Sequence, residues 1–379
     1  MHRSLSVLVA LLSFVCLPAF SASVPIPKAP AIDARAYILM DYESGKVLGE
    51  QNADERMEPA SLTKLMSAYA VFKALKEHRL KLDELVPISE HAWKAEGSRT
   101  FVQVGTTVPA EVLIKGMIIQ SGNDATIALA ERIGGSEPAF AQLMNEYSKR
   151  LGMKNTHWVD ASGLPDPNHY TTARDMAIMG RALISEFPEY YKYYSMKEFT
   201  WNNIKQQNRN GLLTRDPSVD GMKTGHTQSA GYCLVTSAKR GDMRLITVVL
   251  GTPSVRARED GSAALLNYGY TFYETAKLKS RGATILTPQV YKAAVSNPPI
   301  GVRQDVVVVV GRGEAANLKS TATVNEPLIA PLPANRPVGT LTITTQGGEV
   351  VSKVPLYPLK AVEEGGLWTQ LIDSVKLWF

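Results

Sequence analysis

The chain is poor in the residues that carry several common chemistries. It has two cysteines in 379 residues, Cys16 and Cys233. Cys16 lies in an N-terminal apolar run and Cys233 in a strand-like one, so no disulfide framework is expected and Cys233 reads as a packing residue. The six histidines are dispersed, with no His-Glu-x-x-His and no paired cysteines. No metal site and no cofactor are therefore expected. Lys and Arg exceed Asp and Glu only enough to give a formal charge of +5, and they are scattered, which excludes a nucleic-acid surface. No apolar run reaches the roughly 20 residues that a spanning helix needs.

The longest such run, Leu5–Leu17, follows a short basic start at His2 and Arg3. It ends in Pro18-Ala19-Phe20-Ser21-Ala22-Ser23, whose small residues suit cleavage near Ser21. Residues 1–23 thus read as a secretory signal peptide. The remainder is ordinary for a globular protein, at 45% hydrophobic and 20% charged residues. Its length suggests two domains.

The stretch Glu58-Pro59-Ala60-Ser61-Leu62-Thr63-Lys64 holds the first chemical signal. Pro59 suits a helix edge, and Leu62, Leu65, Met66 and Tyr69 then recur at helical spacing to about His78. Ser61 falls in the first turn, and Lys64, three residues on, shares its face. A serine hydroxyl becomes a nucleophile when a neighbouring amine of lowered pKa takes its proton, and the helix N-terminus favours a developing oxyanion. Taken alone, the pair also suits a solvated surface helix. Downstream, a predicted helix over Glu111–Ile119 breaks at Ser121-Gly122-Asn123, and another begins at Asp124. Thr172 caps a further helix, with Asp175 in the reciprocal acidic position rather than a catalytic one. Lys223-Thr224-Gly225-His226 leads into a strand, Gly231–Ala238, and a second, Met243–Gly251. With a hairpin over Ala36–Asp41 and Lys46–Glu50, and a helix over about Ser262–Ala276, these predict an α/β (α+β) domain whose antiparallel sheet is flanked by helices.

Beyond about Gly282, short strands are predicted at Val306–Val310, Lys319–Val324, Val338–Thr345 and Val350–Val354, without any Ser, Lys or His constellation. This reads as a small all-β sandwich. Glu363-Glu364-Gly365-Gly366 reads as a hinge-like linker. Leu367, Trp368, Leu371, Ile372, Val375, Trp378 and Phe379 then share one helical arc, with Leu377 the exception. Such an amphipathic helix suits a membrane interface; packing on the β domain is the alternative. The expected division is 1–23 signal peptide, 24–282 catalytic domain, 283–360 β-rich domain and 361–379 anchor helix.

Ser61-x-x-Lys64, Ser121-Gly122-Asn123 and Lys223-Thr224-Gly225, in that order, resemble the motif set of the penicillin-recognising serine acyl-transferases, with the β-lactamase/transpeptidase-like fold. The fuller resemblance is to the low-molecular-mass penicillin-binding proteins of the penicillin-binding protein 5/6 type, the D-alanyl-D-alanine carboxypeptidases of peptidase family S11. It extends through Lys115–Gln120, Gly163-Leu164-Pro165, Tyr170–Asp175, Arg209–Leu213 and Asp220–Thr227. The resemblance implies Ser61 as nucleophile and Lys64 as general base, Ser121 as proton relay and Asn123 as a holder of the substrate backbone. It also implies that Lys223 keeps the site positive and helps to hold Lys64 neutral. Thr224, Gly225 and His226 line the substrate, with the backbone N–H groups of Ser61 and His226 around the oxyanion, and Arg209 and Arg258 lie near a terminal carboxylate. The expected partners are peptidoglycan pentapeptide stems, β-lactam inhibitors and, through the terminal helix, a membrane surface. The expected place is the periplasm, on the outer face of the inner membrane. A DD-endopeptidase or a β-lactamase would use the same fold. A non-catalytic penicillin sensor or wall-binding module is the alternative of another class. The Glu198-to-Asn202 spacing lies too near Lys223 for a deacylating glutamate and reads as structural.

Overall fold

A computed structural model describes residues 26–378; the signal-peptide reading and Phe379 lie outside the described residues. A five-stranded antiparallel sheet organises the first part. Its strands are β1 (Ala36–Asp41), β2 (Val47–Gln51), β3 (Val219–Thr227), β4 (Gly231–Arg240) and β5 (Met243–Thr252), in the order β2-β1-β5-β4-β3. The residues on β1 alternate between two cores. Ile38 and Met40 join the larger core on one face, and Tyr37 and Leu39 the smaller core on the other. That period of two is what a strand buried on both sides requires. The edge strand β3 carries Lys223-Thr224-Gly225-His226. These residues lead into a strand in the sequence reading, but they form one themselves, paired residue for residue with β4.

Helix α1 (Lys64–Lys76) follows a 3-10 turn at Ala60–Thr63 that holds Ser61. Every residue of α1 from Lys64 to Phe72 is buried. The helix is therefore a central one, packed against α3 (Asn123–Gly134), α4 (Glu137–Leu151) and α5 (Ala173–Glu186), which follow α2 (Ala110–Lys115) in the chain, rather than a surface helix with one apolar stripe. The helix predicted over Glu111–Ile119 continues as a π turn over Gly116–Gln120 and ends at Ser121, in the left-handed region at φ 65°. At the start of α5, Thr172 accepts from the Asp175 N–H as expected. Asp175 does not return the bond; it accepts from Asn155 N–H and the Thr156 hydroxyl and so holds a neighbouring loop.

The late helix differs from the prediction. It is α6, Val255–Phe272, and the chain then turns into β6 (Tyr273–Lys279). A cap at Ser254, which accepts from the Ala257 N–H, starts it seven residues earlier than expected. Strand β6 pairs with β7 (Val306–Gly311), so the β-rich half already includes Tyr273–Lys279. The remaining strands include β8 (Lys319–Val324), β9 (Gly339–Thr344) and β10 (Val350–Pro358) within a second five-stranded sheet. The predicted sandwich is thus present. Val306, Val308 and Val310 face its core, while Val309 packs against the smaller core of the first part.

The terminal helix is α7, Leu367–Lys376. The segment before it is not a free hinge: Ala294 N–H donates to Glu363 O and Gly365 N–H to Lys292 O. Asp373, on the polar face, accepts from the Lys292 N–H at 2.7 Å and from Lys376 at 3.0 Å. The helix docks on the β-rich half by its polar side, and its apolar side faces outward, with Trp368 77% and Trp378 90% exposed. Among the described residues no helix is long and apolar enough to cross a membrane.

Candidate active site

The three motifs meet where the Ser61 turn, the α2–α3 junction and strand β3 converge. Gly225 lets β3 approach the turn: a Cβ there would lie 2.9 Å from Pro59 O. Gly163 does the same from the facing loop, at φ +89°, where a Cβ would lie 1.9 Å from Ala60 O. Two non-glycine residues beside the chemistry, Ala60 and Ser121, take positive φ values of 48° and 65°. Each costs about 1–3 kcal/mol, which the surrounding packing must hold.

Lys64 is 1% exposed. Its Nζ lies 3.1 Å from Ser61 Oγ, 2.7 Å from Asn123 Oδ1 and 2.7 Å from Ser162 O. Burial pushes its pKa down to about 7, with Arg209 adding to the effect and Asp160, Asp124 and Glu137 opposing it. A neutral amine has two N–H groups, and the two carbonyl oxygens at 2.7 Å take them. Its lone pair is left for the Ser61 hydroxyl proton. Lys223, also buried, donates to Ser121 Oγ at 2.9 Å and to Thr224 O at 3.0 Å. Burial, and then Lys64, Arg209 and Arg258, push it well below the ordinary lysine value. The repulsion between Lys64 and Lys223 acts on both amines, and Arg209 adds to it at each.

Above these buried groups lies a cleft of about 560 Å³, lined by Ser61, Ser121, Arg209, Thr224, His226 and Arg258, among others. Arg258 is buried on α6. It donates to Gly225 O and Arg209 O at 3.4 and 3.5 Å, and its Nε has no partner among the described residues. Burial lowers the pKa of Arg209 and of Arg258 alike, so the cleft is short of an anion. His226 stacks on Tyr232 with ring centroids 4.0 Å apart. Asn123 is oriented from the other side, its backbone N–H donating to Ser98 O and its Nδ2 to Glu96 O. Asp124 accepts from the N–H groups of Thr100, Phe101 and Val102 and so fixes that wall.

Of the ten residues expected from the sequence, Ser61, Ser121, Arg209, Thr224, Gly225, His226 and Arg258 line this cleft. Lys64, Asn123 and Lys223 lie beside it, joined by hydrogen bonds to Ser61, to Lys64 and to Ser121. Glu198 does neither; it is exposed on a small hairpin and paired with Lys205 at 2.8 Å. Cys233 is buried on β4, and burial raises its thiol pKa to about 11. Ser162, Thr63, Asp160 and His169 were missed. Ser162 contributes a main-chain carbonyl, which leaves no trace in residue type. Thr63 and His169 meet across 106 residues of chain.

The sequence profile of the D-alanyl-D-alanine carboxypeptidases, peptidase family S11, matches residues 23–254, and that of the penicillin-binding protein 5 C-terminal domain matches residues 273–364. The chain is 45% identical over 374 residues to D-alanyl-D-alanine carboxypeptidase DacC of Escherichia coli, covering 97% of this chain and 93% of that one. The crystal structure of penicillin-binding protein 5 from Haemophilus influenzae superimposes with a TM-score of 0.86 at 41% identity, covering 89% of this chain and all of that one. Penicillin-binding protein D2 from Listeria monocytogenes, solved in an ampicillin-bound form, covers 63% of this chain and 98% of its own at 32% identity, with a TM-score of 0.59.

Proposed function

The chain belongs to the D-alanyl-D-alanine carboxypeptidase family, and from that membership and the cleft's geometry we propose Ser61 as its nucleophile and Lys64 as its general base. The protein is a serine-type D-Ala-D-Ala carboxypeptidase and a penicillin-binding protein acting on the cell wall. Its substrate is the peptidoglycan pentapeptide stem, and β-lactams acylate the same serine. The position of Lys64 Nζ, 3.1 Å from Ser61 Oγ and held by two carbonyl oxygens, carries the residue assignment.

In the proposed sequence, neutral Lys64 takes the Ser61 proton as Oγ attacks the carbonyl between the two D-alanines. The oxyanion is met by the backbone N–H groups of Ser61 and His226. The C–N bond breaks as the proton held by Lys64 is relayed through Ser121, hydrogen-bonded to Lys223, to the departing amine, which leaves Lys64 neutral again. Water, activated by Lys64, then hydrolyses the ester. Arg209, Arg258 and Thr224 receive the terminal carboxylate; the unpartnered Arg258 Nε and the excess of buried cations support this. Asn123 and Gly225 hold the peptide backbone.

The same reading places the protein in the periplasm, exported by residues 1–23 and held on the outer face of the inner membrane by α7. The outward apolar face of that helix supports the attachment. The catalytic domain, the β-rich domain and the anchor are its three working units.

The test is free D-alanine released from a pentapeptide ending in D-Ala-D-Ala, measured beside Ser61→Ala. Release by the wild type alone is expected. Equal release by both proteins would remove Ser61 as the nucleophile.

A further inference from the structure

Beneath the Ser61 turn lies a buried group that the reaction as described does not use. His169 is 1% exposed. Its Nε2 lies 2.8 Å from Thr63 Oγ1, and Thr63 donates its single hydroxyl proton to Ala60 O, also at 2.8 Å. Thr63 can therefore only accept from His169, which places a proton on Nε2. At the other side of the ring, Val159 N–H donates to Nδ1 at 3.2 Å, which makes Nδ1 an acceptor. The two contacts together define a neutral imidazole in its Nε2–H form.

This ring joins the two halves of the catalytic pair. Through Thr63 it grips Ala60, the positive-φ residue immediately before Ser61. Through Val159 it grips the loop in which Asp160 Oδ1 gathers the N–H groups of Ser162 and Gly163. Ser162 O is one of the two carbonyl oxygens that hold Lys64 Nζ. The geometry points to His169 as a positioning residue for acyl transfer, a buried imidazole that sets the Ser61 turn and the Lys64 acceptor loop at a fixed separation. This rests on the reading of Ser61 as nucleophile and Lys64 as base.

Protonation would break the arrangement. A proton on Nδ1 ends its acceptance from Val159 and redirects it to Asp160 Oδ2, 3.3 Å away. Burial disfavours that charge, as does His157, while Asp160, Asp166 and Glu58 favour it. Trp158 meets the ring edge to face and adds no charge. As pH falls, therefore, acylation should lose two protonation-sensitive groups in turn, Lys64 first and His169 at lower pH.

The experiment is the rate of acylation by a fluorescent penicillin, from about pH 5 to about pH 9, with a thermal melt for each protein. The full-length wild type is compared with Ser61→Ala, His169→Ala, His169→Gln and Thr63→Val. His169→Ala should acylate about tenfold to a hundredfold more slowly, the range expected when a reacting group is misplaced. His169→Gln restores a donor to Thr63 but cannot titrate. It should recover most of the rate near neutrality and reduce the acid limb from a two-proton to a one-proton dependence. Thr63→Val keeps the shape and removes the hydroxyl; it should be slowed with little change in melting temperature, and it decides the matter if His169→Ala fails to fold. Wild-type rates in folded Thr63→Val, or an unaltered two-proton limb in His169→Gln, overturn the inference. So do equal losses in the Ala and Gln variants that only track their melting temperatures. A wild type that takes no label at Ser61 would instead remove the underlying assignment of nucleophile and base.

Discussion

Lys64 and Lys223 are both buried and both lowered, yet their surroundings suit different tasks. Lys64 has two carbonyl acceptors, the Ser61 hydroxyl and carboxylates nearby that oppose its loss of charge, and it comes to rest at about 7. A base must be neutral to accept the Ser61 proton. Acylation should therefore rise as pH climbs through about 7 and level off above it, which a stopped-flow pH series would record. Lys64→Ala should acylate at a rate lower by at least about a hundredfold while its circular dichroism stays unchanged. A folded Lys64→Ala protein that acylates at the normal rate would take the base role from Lys64. Lys223 has two acceptors and faces three other cations. In the proposed reaction the substrate's terminal carboxylate would relieve that repulsion. At this scale the sequence was highly legible, because Ser, Lys and Asn side chains at fixed spacings leave a trace in residue type. What it hid were groups acting through the main chain, such as Ser162 O, and pairs remote in sequence, such as Thr63 and His169.

Among the elements, those with strict local signals came out close to expectation. Strand Lys319–Val324 has the expected bounds, and the hairpin Ala36–Gln51 and helix α5 lie within a few residues of theirs. The misses have physical causes. Helix α6 starts at a Ser254 cap that periodicity alone did not favour, and it ends where Tyr273 is drawn into pairing with Gly311. The Glu363–Gly366 segment looks like a hinge by composition, yet its backbone is tied to Lys292 and Ala294. The consequence is a terminal helix with a fixed orientation. Its polar face is engaged through Asp373, whose carboxyl the Lys292 N–H and Lys376 hold below the usual range. Its apolar face has nothing to cover it among the described residues. Removing residues 363–379 should release the protein from lipid vesicles in a sedimentation assay and leave D-alanine release in solution unchanged. Truncated protein that still sediments with vesicles would rule α7 out as the anchor.

Over the whole molecule, the two halves share a boundary layer. Val309 belongs to the smaller core of the sheet domain while its neighbours Val308 and Val310 face the β-rich core. Lys46 Nζ donates to Val309 O, and the Thr275 hydroxyl to the buried Asp41 carboxylate. A catalytic fragment ending at residue 282 would keep Tyr273–Lys279 without its partner strand, exposing an unpaired edge. It should aggregate more, and melt lower, than the full chain in light scattering and calorimetry; a fragment ending at residue 272 should aggregate less than the longer one. Equal behaviour of the two fragments would show that β6 does not depend on β7. By itself, the sequence determined the sheet-and-helix class, the amphipathic tail and the three spaced motifs whose family resemblance implies acyl transfer, because spacing and periodicity are local properties of the chain. Tertiary structure alone decided which strand carries Lys223 along the cleft, how far burial lowers Lys64, which face of α7 is left open and which buried imidazole bridges Thr63 and the Val159 loop. Those depend on desolvation and on contacts between residues far apart in sequence, and neither is written in any one segment.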